Sequence, residues 1–377
     1  MLKSYKYRIY PNEEQIVLLK KTFGCVRFVY NYYLDFKREL YETQKEFLSK
    51  IDCNNHMNQV LKTDENYLWL KEVDKFALTN SVYNLDASFQ NFFREIKKGN
   101  RNQGFPKFKS KKTNHHSYKT NFSNGNIEID FRGNRIKLPK LKWIKAKVHR
   151  EFDGQIKSAA ISQEPSGKYY ASILVDAIAK PLPVIDKKLG IDLGLIDLIT
   201  DSNGNKISNP KALYKYEEKL AKEQRKLSKK EKGGKNFQKQ RIKVARMHEK
   251  IHNVRRDFLH KQTFNIITEN QVIITESLNV RGMVKNKNLS KAISDVSWYE
   301  LARQLEYKAE WYGRVYHKIS PFYPSSQICS SCGYQNQETK DLTIRYWTCP
   351  KCSSPHDRDI NASVNILRQG LKELLPA

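Results

Sequence analysis

The alternation of apolar and polar side chains at the start of the chain predicts a strand followed by a long helix. The first ten residues, MLKSYKYRIY, alternate between apolar or aromatic and basic positions, which is typical of a strand, and Pro11 ends it. Asn12, followed three positions later by Gln15, has the form of a capping box. A helix is therefore predicted to begin there and to extend over 13–42, where apolar residues recur at helical spacing.

The pattern then changes from helical to strand-like. A second helical stretch through Val82 and Phe92 ends at Gly99, and a loop rich in Lys and Arg occupies 97–112. From 116 to 180, alternating segments separated by turn residues predict strands at spacings of roughly 8–12 residues, which is typical of a small β-barrel or sandwich. The following AKPLPVIDKK has the prolines of a linker into a further domain.

The remainder of the chain alternates strands with helices, which predicts an α/β domain. Asn203-Gly204 lies between two β-rich runs and indicates a hairpin. Two basic helices are predicted over 211–262, separated by Gly233-Gly234. Strands are predicted at QVIITES and RVYHKIS, a basic loop at NVRGMVKNKNLSK, and helices at 298–312 and RDINASVNIL.

The net charge indicates the kind of partner. The chain has 377 residues, with 68 Lys and Arg against 40 Asp and Glu, and a formal net charge of +28. Its 21 Tyr, 17 Phe and 5 Trp exclude a disordered polyelectrolyte. Such an excess of positive charge on a folded chain indicates a polyanion, and nucleic acid fits best because its phosphates are dense and regularly spaced.

The N-terminus and the cysteines indicate a reducing compartment. The first residues carry charges where a signal peptide needs an apolar segment, and no apolar run reaches about 18 residues. We therefore expect a cytoplasmic, nucleoid- or DNA-associated protein of a prokaryote, neither secreted nor inserted in a membrane. Six cysteines fit such a compartment as metal ligands or core residues, and Cys25 and Cys53 are predicted to be packing residues.

The strongest local motif is Cys329-x2-Cys332-x16-Cys349-x2-Cys352. Two CxxC pairs at this separation hold one tetrahedral ion, and four thiolates leave no open position for water, so the spacing predicts a structural Zn²⁺. A redox pair of dithiols and four unrelated core thiols are the alternatives, and His356 is a weaker candidate ligand.

Three acidic residues occupy positions where a charge is unfavourable. Asp192 lies within the apolar strand LGIDLGLID, Glu276 ends the strand VIIT, and Asp359 begins the helix RDINASVNIL. Each alone has a structural explanation, because acids are common at strand ends and helix N-caps. Together they have the order that a ribonuclease-H-like fold needs to bring three carboxylates to one point, where they would hold two Mg²⁺ or Mn²⁺ ions about 3.5–4 Å apart. The periodicity alone does not establish that they converge.

Basic residues interleaved with aromatic ones form a third feature. A single charged run is usually a solvated helix face, but the net charge favours nucleic-acid binding. The predicted contacts lie in the first strand and helix, the loop at 97–112, the basic helices and the loop after Glu276: Arg8, Arg27, Tyr30, Lys107, Lys109, Lys111, Lys112, Arg225, Arg241, Arg246 and Arg281.

An ordered series of segments resembles the TnpB (OrfB) family of transposon-encoded RNA-guided nucleases, relatives of type V CRISPR effectors. The segments are YKYRIYPNEEQ, FGCVRFVYN, GFPKFKSKK, GIDLGL, ITESLNVRGMVKN, ISPFYPSSQICSSCG and CPKCSSPHDRDINASVNIL. The resemblance covers the chain from the first strand to the last helix and is least distinctive around 44–75. It implies a metal-dependent DNA endonuclease of RuvC type. Such an enzyme uses a guide RNA from the transposon end and cleaves double-stranded DNA next to a short transposon-adjacent motif.

The resemblance also implies a multidomain layout of α/β type plus β-barrel. A helical recognition lobe is inserted in a wedge-like β-barrel, and a split RNase H-like (RuvC) nuclease domain containing a zinc ribbon follows. The expected boundaries are 1–10 for the first barrel strand, 11–115 for the lobe, 116–185 for the barrel, 186–324 and 357–377 for the nuclease domain, and 325–356 for the target-binding zinc ribbon.

Carried over residue by residue, the resemblance makes Asp192, Glu276 and Asp359 the catalytic ligands of two Mg²⁺ or Mn²⁺ ions. Asp359 matches rather than Asp357, because the family's acid stands just before x-Asn-Ala. Arg358 is expected to contact the scissile phosphate. The four cysteines match the family's ligands of one structural Zn²⁺.

The implied partners are the guide RNA and the target double-stranded DNA, with the transposase of the same element as a further candidate. Two other functions stay open at this stage. A regulator of transposition would bind RNA and DNA without cutting, although the three intact acids argue against it. A compact type V CRISPR effector would differ only in having a repeat array beside its gene.

Overall fold

The chain folds as two units, Met1–Ile178 and Ala179–Ala377. The computed structural model describes residues 1–100, 102, 104–112 and 116–375. Positions 101 and 103 of the predicted basic loop, and the end of the predicted recognition lobe at 113–115, lie outside the described residues.

The helices of the first unit are α1 (Glu13–Gln44), α2 (Lys50–His56) and α3 (Lys75–Lys97). The predicted capping box is present: Asn12 Oδ1 accepts from Gln15 N at 2.8 Å, and Gln15 Oε1 accepts from Asn12 N at 3.0 Å. Helix α2, a π-helical turn at Met57–Leu61 and a 3₁₀ helix at Glu65–Glu72 lie where the sequence pattern predicts no element. Cys53, Met57 and Leu61 recur at helical spacing and are buried, a pattern that the sequence analysis missed.

The sheet of the first unit is antiparallel and has the strand order β2-β6-β7-β1-β5-β4-β3. Its strands are β1 (Leu2–Tyr10), β2 (His116–Asn121), β3 (Glu128–Asp130), β4 (Arg135–Leu138), β5 (Lys142–Lys147), β6 (Gly154–Gln163) and β7 (Tyr169–Ala177). The start of the chain is therefore a central strand of a sheet made from much later residues. Among the described strands, β2 and β3 are the two edges, so the pairing is that of an open sheet and does not itself close the expected barrel.

Alternation along β1 directs Tyr7 and Ile9 into the interior, where both are buried. They share one hydrophobic core with residues of α1 and α3, including Leu19 and Leu85. Cys25 and Cys53 belong to the same core, as predicted for packing residues.

The second unit is built on a five-stranded sheet in the order β10-β9-β8-β11-β12. The strands are β8 (Lys188–Asp192), β9 (Asp197–Asp201), β10 (Lys206–Ser208), β11 (Val272–Glu276) and β12 (Val315–Ile319). Strand β11 is parallel to both β8 and β12, whereas β9 is antiparallel to β8 and to β10. Parallel strands are usually covered by helices on both faces, and the three central residues of β8 and of β11 are buried.

The predicted hairpin joins β9 and β10. Asp201 Oδ1 accepts from the backbone N–H groups of Asn203 and Asn205, each at 2.9 Å, and Gly204 takes a left-handed φ of +89°. A glycine adopts that conformation without a Cβ clash, so Asn203-Gly204 reverses the chain and β10 begins at Lys206.

The helices of the second unit include the two predicted basic ones, α4 (Ala212–Ser228) and α5 (Lys235–Glu269), which pack on each other through a small apolar core. The predicted basic loop after β11 contains two short helices, α6 (Val280–Met283) and α7 (Ser290–Val296), and α8 (Trp298–Tyr312) follows. Tertiary contacts order this segment. The buried carboxylate of Asp295 accepts from Arg255 Nη2 at 2.6 Å and from Leu213 N at 3.1 Å.

The last part of the chain is a small ribbon followed by the C-terminal helix. The ribbon has a 3₁₀ helix at Gln337–Lys340 and the antiparallel strands β13 (Tyr346–Thr348) and β14 (Pro355–Asp357), and α9 (Arg358–Leu374) begins directly after it. In the part of the chain that the structure describes, we find no helix with the length and apolar composition that crossing a bilayer requires.

Candidate functional site

Two of the predicted acids lie side by side at the carboxyl ends of neighbouring parallel strands. In the register of β8 and β11, Ile191 pairs with Thr275, so Asp192 and Glu276 are the next residues on the two strands. Each is the last residue of its strand and is half-buried. Crevices outside the carboxyl ends of parallel strands are the usual location of sites in open α/β sheets.

The third acid is brought to the same end of the sheet by the crossing of α9 over β8. Gly190 makes this crossing possible, because a Cβ at this position would overlap the carbonyl oxygen of Ser363 and lie 2.7 Å from Leu367 Cβ. Asp359 is one turn before Ser363, in the first turn of α9. Its carboxylate is close enough to Asp192 to raise the pKa of that residue.

The structure separates the roles of Asp357 and Asp359, which are only two residues apart. Asp357 is the N-cap of α9: its Oδ1 accepts from Asp359 N at 3.0 Å and from Ile360 N at 3.1 Å. Its Oδ2 accepts from Lys206 Nζ at 2.7 Å. Both oxygens of Asp357 therefore have structural partners, and Asp359 is the acid of this pair that belongs to the carboxylate cluster.

Burial and mutual repulsion perturb the acids in the direction expected of a cation site. Burial raises the pKa of Asp192 well above its usual range, and the charges of Glu276 and Asp359 raise it further. Burial raises the pKa of Glu276 to about 7. Carboxylates in such a position are costly to ionise unless a cation lies between them, which makes the cluster a candidate site for hard divalent ions.

Arg345, which the sequence analysis missed, forms an ion pair with the third acid. Its Nη1 lies 3.2 Å from Asp359 Oδ1. Arg358, the arginine predicted to contact phosphate, is buried, and its Nη1 donates to the Asp341 carbonyl at 2.6 Å. Its charge also interacts with those of Asp192 and Asp359. The contact of Arg358 with the scissile phosphate stays a prediction, and one nitrogen of its guanidinium is hydrogen-bonded inside the ribbon. No local pattern distinguishes Arg345, since its partner is 14 residues away.

The four predicted cysteines form a cluster that fits a zinc ion. Their sulfur atoms all lie within 4.8 Å of one another, and the Cys329–Cys352 and Cys332–Cys349 pairs are each separated by 3.6 Å. Zn–S bonds of about 2.3 Å in a tetrahedron place sulfurs about 3.8 Å apart, which matches this spacing. Nε2 of His356 lies 3.1 Å from Cys329 Sγ, outside the cluster of four.

No other group of three or more ligand residues in the described ranges is gathered as tightly as these cysteines. The three acids are therefore more widely spread than the ligands of one closed site.

Two buried asparagines of α9 attach the first cysteine pair to the helix that carries Asp359. Asn361 Nδ2 donates to the Ile328 carbonyl at 2.7 Å and Asn361 Oδ1 accepts from Ser330 N at 2.8 Å. Asn365 Nδ2 donates to the Ser325 carbonyl at 2.9 Å. The side chains that hold the ribbon therefore lie on the same helix as Asp359, so ribbon and acid keep a constant geometry.

The predicted nucleic-acid contacts of the first unit differ in accessibility. Lys107, Lys111 and Lys112 are exposed, and Arg8 and Arg27 are half-buried. Tyr30 is 4% exposed and lies in the core, so its ring is not available to stack on a base, which corrects that prediction. Lys109 lies over this ring, with Nζ 3.9 Å from the centroid, and the Asn31 side chain holds the Lys109 backbone through two hydrogen bonds of 2.8 and 2.9 Å.

The predicted contacts of the second unit are on the surface. Arg225 on α4, Arg241 and Arg246 on α5, and Arg281 on α6 are all exposed. The apolar residues of α4 and α5 face each other, which leaves their basic residues outward.

Three family models match the chain. The OrfB_IS605 model, described as "Probable transposase", matches residues 169–287. A "Cas12f1-like, TNB domain" model matches residues 298–366, and a "Helix-turn-helix domain" model of the OrfB_IS605 type matches residues 1–46.

The chain is also similar to whole proteins and to a solved structure. A "Putative RNA-guided DNA endonuclease" of Streptomyces pristinaespiralis is 36% identical over 98% of this chain and 89% of its own length. A relative of the same description from Escherichia coli K12 is 30% identical over 98% of this chain and 92% of its own. The "mini-RNA-guided endonuclease CRISPR-Cas_phi3" structure shares the fold, with a TM-score of 0.56 at 11% identity over 98% of this chain and 92% of that one. Because the relatives match over nearly their full length, the chain belongs to the OrfB (TnpB) family of insertion-sequence proteins.

Proposed function

We propose that this protein is an RNA-guided DNA endonuclease, and that Asp192, Glu276 and Asp359 hold two Mg²⁺ or Mn²⁺ ions at its catalytic centre. The observation that carries this proposal is the register of β8 and β11, which places Asp192 beside Glu276, together with the crossing of α9 that adds Asp359. The printed descriptions of the relatives name the same activity.

The chemistry proposed is hydrolysis of a phosphodiester bond. When bound, a pair of divalent ions activates the attacking water and stabilises the departing 3′ oxygen. The chain contributes the three carboxylates, which must be deprotonated to bind the ions. Arg345 neutralises part of the charge on Asp359 and is exposed enough to reach a DNA phosphate, so we assign it the role that the sequence analysis gave to Arg358.

The finer architecture is part of the same proposal. We assign the second unit to a split RNase H-like (RuvC) nuclease domain, with the four cysteines holding one structural Zn²⁺ in its ribbon. We assign the helices of the first unit to a recognition lobe and its sheet to the wedge domain. Four lysines, Lys62, Lys71, Lys75 and Lys140, line a cavity of about 570 Å³ between these helices and the sheet, which suits a nucleic-acid backbone.

The proposed partners are a guide RNA from the transposon end and the matching double-stranded DNA. The charge of +28 supports a polyanion, and base pairing would supply sequence recognition that a chain of this size cannot. The transposase of the same element is a further proposed partner. The proposed location is the prokaryotic cytoplasm, in association with DNA.

The test is to express the gene with its natural downstream flank, purify the protein and sequence the RNA that copurifies. A discrete RNA with a constant part and a variable end identifies the guide, and a plasmid matching that end should be cut only when Mg²⁺ or Mn²⁺ is present. Asp192→Ala should abolish cutting but retain RNA and target binding, because it removes a metal ligand at the end of its strand.

Asp257→Ala is the matched control for this test, since Asp257 is an exposed aspartate of α5 paired only with Lys261 in the described contacts. It should cut at the wild-type rate. Undiminished cutting by Asp192→Ala would refute the metal site. Random cellular RNA fragments in place of a discrete species would refute RNA guidance.

A further inference from the structure

The ribbon hairpin has one packed face and one open face. In the register of β13 and β14, Trp347 is opposite His356 and Tyr346 is opposite Asp357. Side chains directly opposite each other in an antiparallel pair lie on the same face. The Trp347 and His356 rings pack with centroids 4.8 Å apart, so Tyr346 and Asp357 are on the other face.

That other face carries an exposed aromatic ring beside the nuclease centre. Tyr346 is 74% exposed, whereas Trp347, next to it in the chain, is 9% exposed. Asp357, which stands opposite Tyr346, caps the helix that carries Asp359. An aromatic ring that packs against little of its own protein, across from the start of a catalytic helix, is available to a ligand.

A cation lies near this ring, and a second one lies near the acid. Lys206 reaches the ring from the β9–β10 hairpin: its Nζ is 2.7 Å from Asp357 Oδ2, and its charge interacts with both Asp359 and Tyr346. Arg345 precedes Tyr346 in the chain and is paired with Asp359. An exposed ring with a cation nearby is the combination that proteins use to hold single-stranded nucleic acid, since the ring stacks on a base and the cation contacts a phosphate.

We propose that Lys206 and Tyr346 form a strand-positioning subsite that holds the nucleotide next to the cleaved phosphate in a single DNA strand. The Tyr346 ring stacks on the base of that nucleotide. The Lys206 ammonium leaves its ion pair with Asp357 and forms one with the adjoining phosphate. The inference rests on the proposed function and extends it, because it names the residues outside the carboxylate cluster that place the strand.

The geometry favours a single strand over a duplex. Bases within a duplex are stacked on each other and present only their edges, so the exposed face of Tyr346 has a partner only where a base is unstacked. The side chain of Lys206 is 31% exposed and that of Asp357 16%, so the ion pair remains accessible to a competing phosphate. When Lys206 moves, Asp357 keeps its two hydrogen bonds to the helix, so the position of Asp359 is maintained.

The stacking is tested without cleavage, in the Asp192→Ala protein loaded with its RNA. Target DNA carries 2-aminopurine at successive positions around the cut site mapped with the active enzyme. The fluorescence should rise where binding unstacks the bases, but at one position the rise should be smaller because the Tyr346 ring stacks on the base. Tyr346→Ala should raise the fluorescence at that position, while Tyr346→Phe, which keeps the ring, should not. Tyr334→Ala, at another exposed tyrosine of the ribbon, is the control and should leave the signal unchanged.

The phosphate contact is tested in the active enzyme with single-stranded DNA. Lys206→Met should raise KM about tenfold with little change in kcat, because a positioning contact made equally in the bound and transition states affects binding alone. Lys206→Arg should restore most of the loss, which a purely structural role for the side chain would not predict. Thermal unfolding of each variant serves as the check on folding.

The outcomes distinguish this inference from the proposed function. If the Asp192→Ala protein binds no matched DNA in any background, RNA-guided recognition and the subsite are both refuted. If it binds DNA but Tyr346→Ala leaves every 2-aminopurine signal unchanged, or Lys206→Met retains the wild-type KM, the subsite alone is refuted.

Discussion

At the scale of single residues, neighbours in sequence have different roles because their environments differ. Asp357 uses both oxygens as the cap of α9 and the partner of Lys206, whereas Asp359 faces Asp192 and Arg345. Arg358, between them, is buried against a ribbon carbonyl. The side chains of three consecutive residues thus serve a helix end, the ribbon and the carboxylate cluster.

The raised pKa of Glu276 predicts a pH dependence of stability in the metal-free protein. Its pKa is about 7 in the folded state, against an ordinary value of 4.5 for a glutamate, so the folded protein binds more protons between these values. The free energy of unfolding should therefore fall as pH rises from about 4.5 to about 7, by on the order of 2–3 kcal/mol. Chemical denaturation at pH 5 and 7.5 without divalent ions measures this fall.

Glu276→Gln should reduce that fall, because an amide does not titrate, although Asp192, whose pKa is also raised, still contributes. Mg²⁺ should reverse the fall in the wild-type protein. Glu310→Gln, at an exposed position of α8, is the control and should keep the wild-type dependence. A metal-free protein whose stability is flat or rises across this range would contradict the assignment.

At the scale of elements, the site depends on how closely α9 approaches the sheet. Gly190 and Gly370 are the contact points: a Cβ at the first would overlap the Ser363 carbonyl, and one at the second would overlap Ile274. Ile274 and Ile366 form a small core on this face, while Ile273 packs on the other face with α5 and α8. The position of Asp359 relative to Asp192 is thus determined by backbone contact between a helix and a strand.

Gly190→Ala should push α9 away from β8 and separate Asp359 from Asp192. We expect a loss of about 1–3 kcal/mol in the free energy of unfolding, as for other overpacked cores, and a higher Mg²⁺ concentration for half-maximal cleavage. Gly24→Ala, in the middle of α1, is the matched control. A Cβ at this position would have no other atom within 4 Å, and alanine favours a helix more than glycine does, so the substitution should stabilise the protein by up to about 1 kcal/mol. Wild-type stability and Mg²⁺ response in Gly190→Ala would contradict this contact.

At the scale of the whole molecule, the charge of +28 is concentrated in exposed segments. The outward faces of α4 and α5 and the loop at 104–112 present Lys and Arg to solvent. Unless an anion is bound, these charges repel each other and lower the stability of the folded chain. The protein without nucleic acid should therefore be the less stable form.

Binding of non-target DNA should weaken steeply with salt. Each neutralised phosphate contributes about −0.9 to the slope of log K against log salt for duplex DNA, so six contacts would lower affinity about a thousandfold between 50 and 200 mM. Filter binding or fluorescence anisotropy at four salt concentrations measures the slope. A flat response would show that the Lys and Arg of these segments do not follow the DNA backbone.

Features that depend on short spacings could be predicted before any fold was known. The capping box of α1 and the Cys329 to Cys352 spacing are recognisable because the interacting groups are a few residues apart or repeat one spacing. The ordered motifs indicated the family and named Asp192, Glu276 and Asp359. The convergence of these acids could not be derived from periodicity, since it depends on strand register and on a helix crossing.

The other side chains around the acids are placed by contacts between distant segments. Lys206 meets Asp357 across 151 residues, and Arg345 pairs with Asp359. Both contacts form because β9–β10, the ribbon and α9 come together in space without any pattern in the sequence. The exposure of Tyr30 and Tyr346 could not be predicted from the sequence either. Both belong to aromatic and basic stretches, yet packing buries the first at 4% and leaves the second 74% exposed. Burial is therefore a property of the folded chain, and it determines which aromatic ring can meet a ligand.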